Sequence, residues 1–272
     1  MKKTIVFTDL DGTLLDLSTY SFDRALPALS ALKQEAIPLV ICSSKTKTEI
    51  EYYREQLANH DPFISENGGG IFIPKGYFDF DFQTGTVDIT EEDDYYIVEL
   101  GTRYPVLRKA VEELRNEGFP IRGFGDMTAE EVAALAGISL KEAAMAKERD
   151  FDEPFVLENS GWQREGLLRA IRKNGFGFTE GRFFHLLGSS DKGKAVAVLI
   201  DLFRRRLGEV STLALGNSPN DIPMLREVDY PVIVQEPDGS YDSRIDIPNL
   251  IRAEGIGPAG WNLAVNEFIR RV

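Results

Sequence analysis

The stretch Ile5-Val6-Phe7-Thr8-Asp9-Leu10-Asp11-Gly12-Thr13 sets two aspartates directly behind a short apolar run. The apolar run predicts a buried β-strand. Two carboxylates at positions i and i+2 can converge on one cation, and Gly12 allows a tight turn behind them. In parallel α/β folds, ligands bind beyond the carboxyl ends of the strands. The stretch therefore predicts a ligand-binding loop, whereas a lone Asp-x-Asp would indicate only a solvated turn.

Short apolar strands and amphipathic helices alternate on both sides of this loop. Apolar residues recur at helical spacing between Phe22 and Leu32, and Leu39-Val40-Ile41-Cys42 predicts a second strand. Further signals are a capping box at Thr46 and Glu49, a helix cap at Asp191, a strand at Thr212-Leu213-Ala214-Leu215, a helix capped by Asn220 and a last helix from Pro258. The pattern predicts an α/β fold with a doubly wound, mostly parallel sheet.

The middle of the chain has a different character. After Gly85 the sequence turns acidic at Glu91-Glu92-Asp93-Asp94, and it then alternates helices and strands with capping boxes that begin at Thr128 and Ser139. We therefore predict that residues 1–85 and 187–272 form the core, and that residues 86–186 form an inserted α+β cap domain.

Composition narrows the classes of function. The 272 residues carry a net charge of −13, which disfavours nucleic acid and anionic membranes as partners. The one cysteine, Cys42, lies in a predicted strand, so we expect a core residue and no internal disulfide. The apolar run near Met1 is shorter than a secretory or membrane segment requires. We expect a cytosolic protein that binds anions through a metal ion or concentrated Lys and Arg.

Three further polar segments follow predicted strands or open predicted helices. They are Ser43-Ser44-Lys45-Thr46, Asp191-Lys192-Gly193-Lys194 and Gly216-Asn217-Ser218-Pro219-Asn220-Asp221. Hydroxyl groups and helix N-termini can bind phosphate oxygens, a lysine adds positive charge, and the last loop can complete a metal site. Alternatively, each is a helix cap, a surface lysine or an ordinary turn, and Lys192 and Lys194 are not distinguished. Their convergence with the Asp9 loop at strand ends favours one catalytic site.

In order, these segments resemble the four motifs of the haloacid dehalogenase-like (HAD) phosphatase superfamily, and the insertion resembles its C2-type, Cof-like cap. Over nearly its whole length the chain resembles the mannosyl-3-phosphoglycerate phosphatases of that superfamily. The strings that carry this resemblance are Ser43-Ser44-Lys45-Thr46, Ser65-Glu66-Asn67-Gly68-Gly69, Arg122-Gly123-Phe124-Gly125-Asp126-Met127-Thr128 and Lys147-Glu148-Arg149-Asp150-Phe151-Asp152-Glu153-Pro154-Phe155.

The resemblance implies a Mg²⁺-dependent phosphomonoester hydrolase. It implies that Asp9 is the nucleophile, that Asp11 is the general acid and then the base, and that Ser43 and Lys192 hold the phosphoryl group. The implied metal ligands are Asp9, Asp11 through its main-chain carbonyl, Asn217, and Asp221 from the outer shell.

The implied substrate is a small phosphorylated glycosyl-glycerate. 2-O-mannosyl-3-phosphoglycerate, which would give mannosylglycerate, a compatible solute, is preferred over glucosyl-3-phosphoglycerate. The resemblance leaves room for a phosphatase of another sugar phosphate, a hexose phosphomutase or a non-catalytic phosphate-binding protein. Substrate contacts are assigned to Ser44, Lys45, Glu66, Asn67, Gly68, Gly125, Asp126, Met127 and Asn220.

Asn217 departs from the pattern of the superfamily, which has Asp after the glycine. An amide oxygen can bind Mg²⁺ but brings no negative charge. We therefore expect Asn217 to remain a ligand with weaker metal affinity, and Asp221 to move inward in compensation. His185 lies on the apolar stretch Phe183-Phe184-His185-Leu186-Leu187, where packing or a structural hydrogen bond is the expected role.

Overall fold

The computed structural model describes residues 2–81, 88–158 and 164–271. The strands in these ranges are β1 (Lys3–Thr8), β2 (Leu39–Cys42), β3 (Phe63–Ser65), β4 (Gly70–Pro74), β5 (Asp88–Glu92), β6 (Tyr95–Glu99), β7 (Ile121–Gly123), β8 (Asp152–Leu157), β9 (Gly177–Glu180), β10 (Phe184–Leu187), β11 (Val210–Gly216), β12 (Tyr230–Gln235) and β13 (Ile251–Ile256). The α-helices are α1 (Leu26–Gln34), α2 (Lys47–Leu57), α3 (Tyr104–Asn116), α4 (Ala129–Ala136), α5 (Leu140–Ala146), α6 (Arg164–Lys173), α7 (Lys192–Leu207), α8 (Ile222–Arg226) and α9 (Pro258–Arg271).

A large sheet has the strand order β13-β12-β11-β1-β2-β3-β4-β6-β5. The strands from β13 to β3 are parallel, and β4, β6 and β5 are antiparallel additions at one end. Successive residues of β1 point to opposite faces, so Val6 packs in one hydrophobic cluster and Ile5 and Phe7 in the other. The predicted doubly wound, mostly parallel α/β fold is confirmed.

Helices cover both faces of this sheet. Leu29 of α1, Ile50 of α2 and Trp261 of α9 pack on one face, while Val196 of α7 and Met224 of α8 pack on the other. Cys42 is fully buried in the second cluster, as the sequence predicted. Among the described residues, we find no helix with the length and apolar character that crossing a membrane requires.

A second, four-stranded antiparallel sheet has the order β7-β8-β10-β9. Its own hydrophobic cluster includes Leu107 of α3, Leu167 of α6 and Phe155 of β8. We call the described residues between 104 and 187 the small-sheet unit.

The predicted start of the insertion, at residue 86, differs from the boundary that the strand pairing indicates. Residues 82–87, which include that boundary, lie outside the described residues. The next strands, β5 and β6, pair with β4 and belong to the large sheet. The acidic residues that suggested a new domain lie at the exposed edge strand β5 and the turn after it. By strand pairing, the small-sheet unit therefore begins after β6.

Local helix signals were mostly predicted correctly. The boxes that begin at Thr46, Thr128 and Ser139 form, and α9 begins at Pro258. Asn220 does not cap a helix. It lies inside a 3₁₀ turn, Pro219–Asp221, because the Asp221 carboxylate reaches back to the loop N–H groups and sets this turn.

Asp191 provides a stability test at the start of α7. Its Oδ1 accepts the N–H of Lys194 at 2.9 Å, which satisfies one otherwise unpaired donor. We expect Asp191→Ala to lower the free energy of unfolding by about 1 kcal/mol, and Asp191→Asn to lower it far less because the amide oxygen can still cap. Urea unfolding measures both values. Equal losses in the two variants would contradict this assignment.

Candidate active site

The candidate site lies where the parallel strands end. Asp9 follows β1, Ser43 follows β2 and Asn217 follows β11. Because β1 pairs with β2 on one side and with β11 on the other, these three loops meet at one edge of the sheet.

Lys192 joins two of the aspartates. Its Nζ lies 2.6 Å from Asp9 Oδ1 and 2.6 Å from Asp221 Oδ1, and its side chain is completely buried. Lys194 instead is exposed and contacts the Ser189 carbonyl and Asp191. The structure therefore brings Lys192, and not Lys194, to the Asp9 loop.

The electrostatics of Asp9 follow from this burial. Burial raises the pKa of Asp9 to about 7, with smaller contributions from Asp221 and Asp11, while the Lys192 ammonium opposes the rise. One ammonium faces two carboxylates here, so this cluster has an excess of negative charge that a cation would offset.

Asp221 holds the loop that carries Asn217. Its Oδ2 accepts the main-chain N–H groups of Asn217 and Ser218, each at 3.0 Å, while Oδ1 accepts from Lys192. Both oxygens of Asp221 are therefore engaged by groups of the protein.

Asp11 has one engaged oxygen and one free oxygen. Its Oδ2 lies 3.1 Å from Lys45 Nζ, and Lys45 also lies 3.4 Å from Glu49. Its Oδ1 is buried and has no hydrogen-bond partner among the described residues. A buried polar atom without a partner is uncommon and marks a place for a ligand.

The oxygen donors at this edge of the sheet fit Mg²⁺, and they include an amide oxygen as well as carboxylate oxygens. In the described ranges, no three His, Cys, Asp or Glu side chains are arranged to hold a metal ion. Asn217 Oδ1 accepts the Thr13 hydroxyl at 3.0 Å and has a second lone pair left. Asp9, Asp11 and the Asn217 amide together offer the hard oxygen ligands that Mg²⁺ prefers.

A cavity of about 610 Å³ opens above these residues, between the large sheet and the small-sheet unit. Asp9, Asp11 and Asn217 line its floor side, and Phe124, Phe183 and other residues of the small-sheet unit line the opposite wall. The positively charged or protonatable side chains in its lining are Lys45, Arg149, Arg182, His185 and Arg244. The lining also contains the acidic side chains of Asp9, Asp11, Glu49, Glu236 and Asp242, so basic and acidic groups face the same cavity.

Three predicted substrate contacts lie elsewhere. Gly125, Asp126 and Met127 are not part of the cavity lining. Asp126 forms ion pairs with Arg108 and Arg115, and these pairs hold its pKa at about 2 even though burial opposes that lowering. The Gly125 N–H donates to Glu153 Oε1 at 3.0 Å. The backbone and carboxylate that we assigned to a ligand are therefore occupied within the small-sheet unit.

The segment Glu66–Gly68 connects the two sheets instead of lining the cavity. Glu66 accepts the N–H groups of Asp150 and Phe151, and its burial raises the pKa of its carboxyl to about 8. Gly68 packs so closely on Asp191 that a Cβ would lie 2.1 Å from the Asp191 carbonyl oxygen.

Of the remaining predicted contacts, Ser44, Lys45 and Asn220 line the cavity. Ser43 is buried beside them, and its Oγ accepts the Lys45 N–H at 3.3 Å. Asn67 is bound to Asn220, whose Nδ2 donates to Asn67 Oδ1 at 3.0 Å.

His185 is buried at the edge of the cavity, and it makes a structural hydrogen bond of the kind that the sequence analysis expected. Its Nδ1 lies 2.9 Å from Asp152 Oδ1, and Asn67 Nδ2 donates to Asp152 Oδ2 at 2.7 Å. An ionised carboxylate only accepts hydrogen bonds, so Nδ1 carries the proton when Asp152 is ionised. Asp152 is distant in sequence, and only its position in the string around Asp150 and Phe151 pointed to the site.

Comparison with known proteins identifies related sequences. Residues 6–96 match the family of haloacid dehalogenase-like hydrolases. A glucosyl-3-phosphoglycerate/mannosyl-3-phosphoglycerate phosphatase of Methanococcoides burtonii is 47% identical over 269 residues, which are 98% of this chain and 97% of the relative. A mannosyl-3-phosphoglycerate phosphatase of Pyrococcus horikoshii is 39% identical over 231 residues, which are 85% of this chain and 90% of the relative.

Solved structures share the fold. A phosphatase of the haloalkanoate enzyme superfamily from Bacteroides thetaiotaomicron has a TM-score of 0.66 at 16% identity, with 99% of this chain and 95% of that chain covered. The sucrose-phosphatase of Synechocystis, solved with sucrose and phosphate, has a TM-score of 0.62 at 16% identity, with 99% of each chain covered.

The buried lysine allows a test that combines stability and pH. Lys192→Met would leave two buried carboxylates unpaired, which costs about 3–5 kcal/mol of unfolding free energy when both are ionised. The folded pKa of Asp9 is raised to about 7, so its ionisation costs stability as the pH rises from about 4 towards 7. Without Lys192 this cost grows, and we expect a larger loss at pH 8 than at pH 5.

Denaturant unfolding of the wild type and Lys192→Met at both pH values measures this difference. The matched control is Lys194→Met, on the same helix but exposed, which should change stability by no more than about 0.5 kcal/mol. The same loss at pH 5 and pH 8 would show that the unpaired carboxylates are not the cause.

Proposed function

The chain belongs to the haloacid dehalogenase-like hydrolase family and is a phosphatase, and we propose that it hydrolyses the phosphate ester of a glycosyl-3-phosphoglycerate. The similarity to two phosphatases that carry that substrate in their names supports this proposal. The observation that carries it is the buried Lys192 bridge between Asp9 and Asp221, next to a cavity that Asp9 and Asp11 line together with Lys45 and Arg182.

Asp9 is the proposed nucleophile. One of its oxygens is held by Lys192 at 2.6 Å, which fixes the carboxylate and favours its ionised form. Attack on phosphorus would form an aspartyl-phosphate and release the glycerate oxygen as an alcohol. Lys192, beside the attacking carboxylate, would also stabilise the negative charge on the phosphoryl oxygens in the transition state.

Asp11 is the proposed acid and base. It follows Asp9 by two residues, and its unpartnered Oδ1 is available to give a proton to the leaving alcohol. It would then take a proton from the water that hydrolyses the aspartyl-phosphate. Lys45 holds the other oxygen at 3.1 Å, so the carboxyl group keeps its orientation between the two steps.

The proposed cofactor is Mg²⁺, held by Asp9, the main-chain carbonyl of Asp11 and the Asn217 amide, with Asp221 in support. When bound, Mg²⁺ supplies positive charge that reduces the repulsion between an anionic carboxylate and an anionic phosphate ester. The excess of carboxylates over ammonium groups around Lys192 is the local reason to expect it.

The substrate class follows from the chemistry of the cavity wall. A glycosyl-3-phosphoglycerate carries a phosphate, a carboxylate and a neutral sugar. Arg182 can pair with an anionic group, and Tyr20 and Phe183 offer rings on which a sugar can pack. We propose the mannosyl compound as the preferred substrate and the glucosyl compound as the second. The small-sheet unit would then act as a cap that excludes water from the first step.

A substrate panel tests this function. We expect Mg²⁺-dependent phosphate release from mannosyl- and glucosyl-3-phosphoglycerate with a kcat/KM far above those for sucrose 6-phosphate and simple hexose phosphates. Asp9→Asn should abolish release because the amide is not a nucleophile. Uniform rates across the panel would contradict the substrate, and formation of an isomer without free phosphate would indicate a phosphomutase.

Arg182 tests the role of the small-sheet unit in substrate choice. Its exposed side chain lines the cavity. Its guanidinium donates to the hydroxyl of Tyr20 at 3.3 Å, and Tyr20 belongs to the loop between β1 and α1 on the large-sheet side. We expect Arg182→Gln to raise KM for the glycosyl substrate about tenfold through loss of a charged hydrogen bond, with little change for p-nitrophenyl phosphate.

Steady-state kinetics on both substrates provides this measurement. Arg169→Gln, which removes an exposed arginine from α6 of the same unit, is the matched control and should leave both KM values unchanged. An equal effect of Arg182→Gln on the two substrates would mean that Arg182 does not recognise the glycosyl-glycerate part.

A further inference from the structure

The side-chain amide of Asn217 has one partner that donates a hydrogen bond to it and one partner that accepts a hydrogen bond from it. The Thr13 hydroxyl donates to its Oδ1 at 3.0 Å, and its Nδ2 donates to Glu236 Oε1 at 2.9 Å. Glu236 is the first residue after β12, the strand that pairs with β11, so it comes from the next loop along the same sheet edge. Both residues line the cavity above Asp9.

This arrangement requires an amide at position 217. An ionised carboxylate has no hydrogen to donate, so Glu236 can only accept from Asn217. The contact therefore sets the Asn217 nitrogen towards Glu236 and leaves its oxygen towards Thr13. An aspartate at position 217 would face Glu236 as a second carboxylate at hydrogen-bond distance, where like charges disfavour joint ionisation.

We infer that Glu236 carries the negative charge that Asn217 lacks, and that the two residues act as one unit in support of the metal site. Glu236 is thus a positioning residue: it fixes the amide and polarises its oxygen through the 2.9 Å hydrogen bond. The inference rests on the proposed Mg²⁺ site and extends it to a residue from a different loop.

The inference can be tested by exchanging the amide and the carboxylate between positions 217 and 236. Glu236→Gln keeps an acceptor for Asn217 but removes the charge. Asn217→Asp adds a charge next to Glu236. The two substitutions together reverse the direction of the hydrogen bond, since the new glutamine amide can donate to the new aspartate. The double variant therefore returns one carboxylate and one amide to the site.

Calorimetric titration with Mg²⁺ and thermal unfolding in EDTA of these proteins test the inference. We expect Glu236→Gln to weaken Mg²⁺ binding about tenfold, with an unchanged melting temperature in EDTA. We expect Asn217→Asp to lower the melting temperature in EDTA by about 3 °C or more, and the added Glu236→Gln to reverse this loss. The double variant should bind Mg²⁺ at least as well as the wild type.

Asp238→Asn is the matched control. It removes an exposed carboxylate from the same loop, which bonds to Ser240 and does not contact Asn217, so Mg²⁺ affinity should stay within about twofold of the wild type. An effect of Asp238→Asn equal to that of Glu236→Gln would assign the loss to the general charge of the loop and overturn the inference.

Two other outcomes also overturn it. One is an unchanged Mg²⁺ affinity in Glu236→Gln, and the other is a melting temperature in EDTA that Glu236→Gln changes equally in the Asn217→Asp and wild-type backgrounds. A failure of the wild-type protein to bind Mg²⁺ would also overturn the inference. Since neither measurement uses a substrate, inactivity on glycosyl-3-phosphoglycerates would count against the proposed function alone.

Discussion

The buried ammonium of Lys192 is the interaction on which the rest of the site depends. It lies 2.6 Å from both Asp9 and Asp221, and these residues come from three separate elements of the large sheet and its helices. A buried lysine without partners would lose its proton or destabilise the fold, so the contacts must form together. The junction of β1, β11 and α7 therefore places the proposed nucleophile against the positive charge of Lys192.

The connection between the two sheets uses polar groups that the chemistry does not use. Glu66 accepts the N–H groups of Asp150 and Phe151, and Asn67 bridges Asp152 and Asn220. These bonds set the small-sheet unit over the strand ends and orient His185 at the cavity. The segment Glu66–Gly68, to which the resemblance assigned substrate contacts, thus aligns the two walls of the site.

Local sequence was sufficient for β1, β2 and β11 of the large sheet and for the loops that follow them. Asp9 and Asn217 follow strands whose apolar patterns are short and clear, so their meeting point could be predicted. The choice of Lys192 over Lys194 depended on the family resemblance, because both lysines lie in the first turn of the same helix. The insertion boundary could not, because an exposed edge strand such as β5 has the composition of a loop or a new domain. The ion pairs of Asp126 could not be predicted, because Arg108 and Arg115 lie on a helix that is nearby only in space, and the Asp152–His185 pair is equally non-local.

If Asp9 is the nucleophile, it becomes covalently phosphorylated during turnover, and acid quenching of a single turnover with mannosyl-3-phosphoglycerate would trap this intermediate. Mass spectrometry of the digested protein should find a phosphorylated peptide that contains Asp9 at early times, and this species should decay as free phosphate appears. The account predicts no such peptide in the Asp9→Asn variant. Full phosphate release with an unmodified Asp9 peptide throughout, or phosphate on another residue, would contradict it.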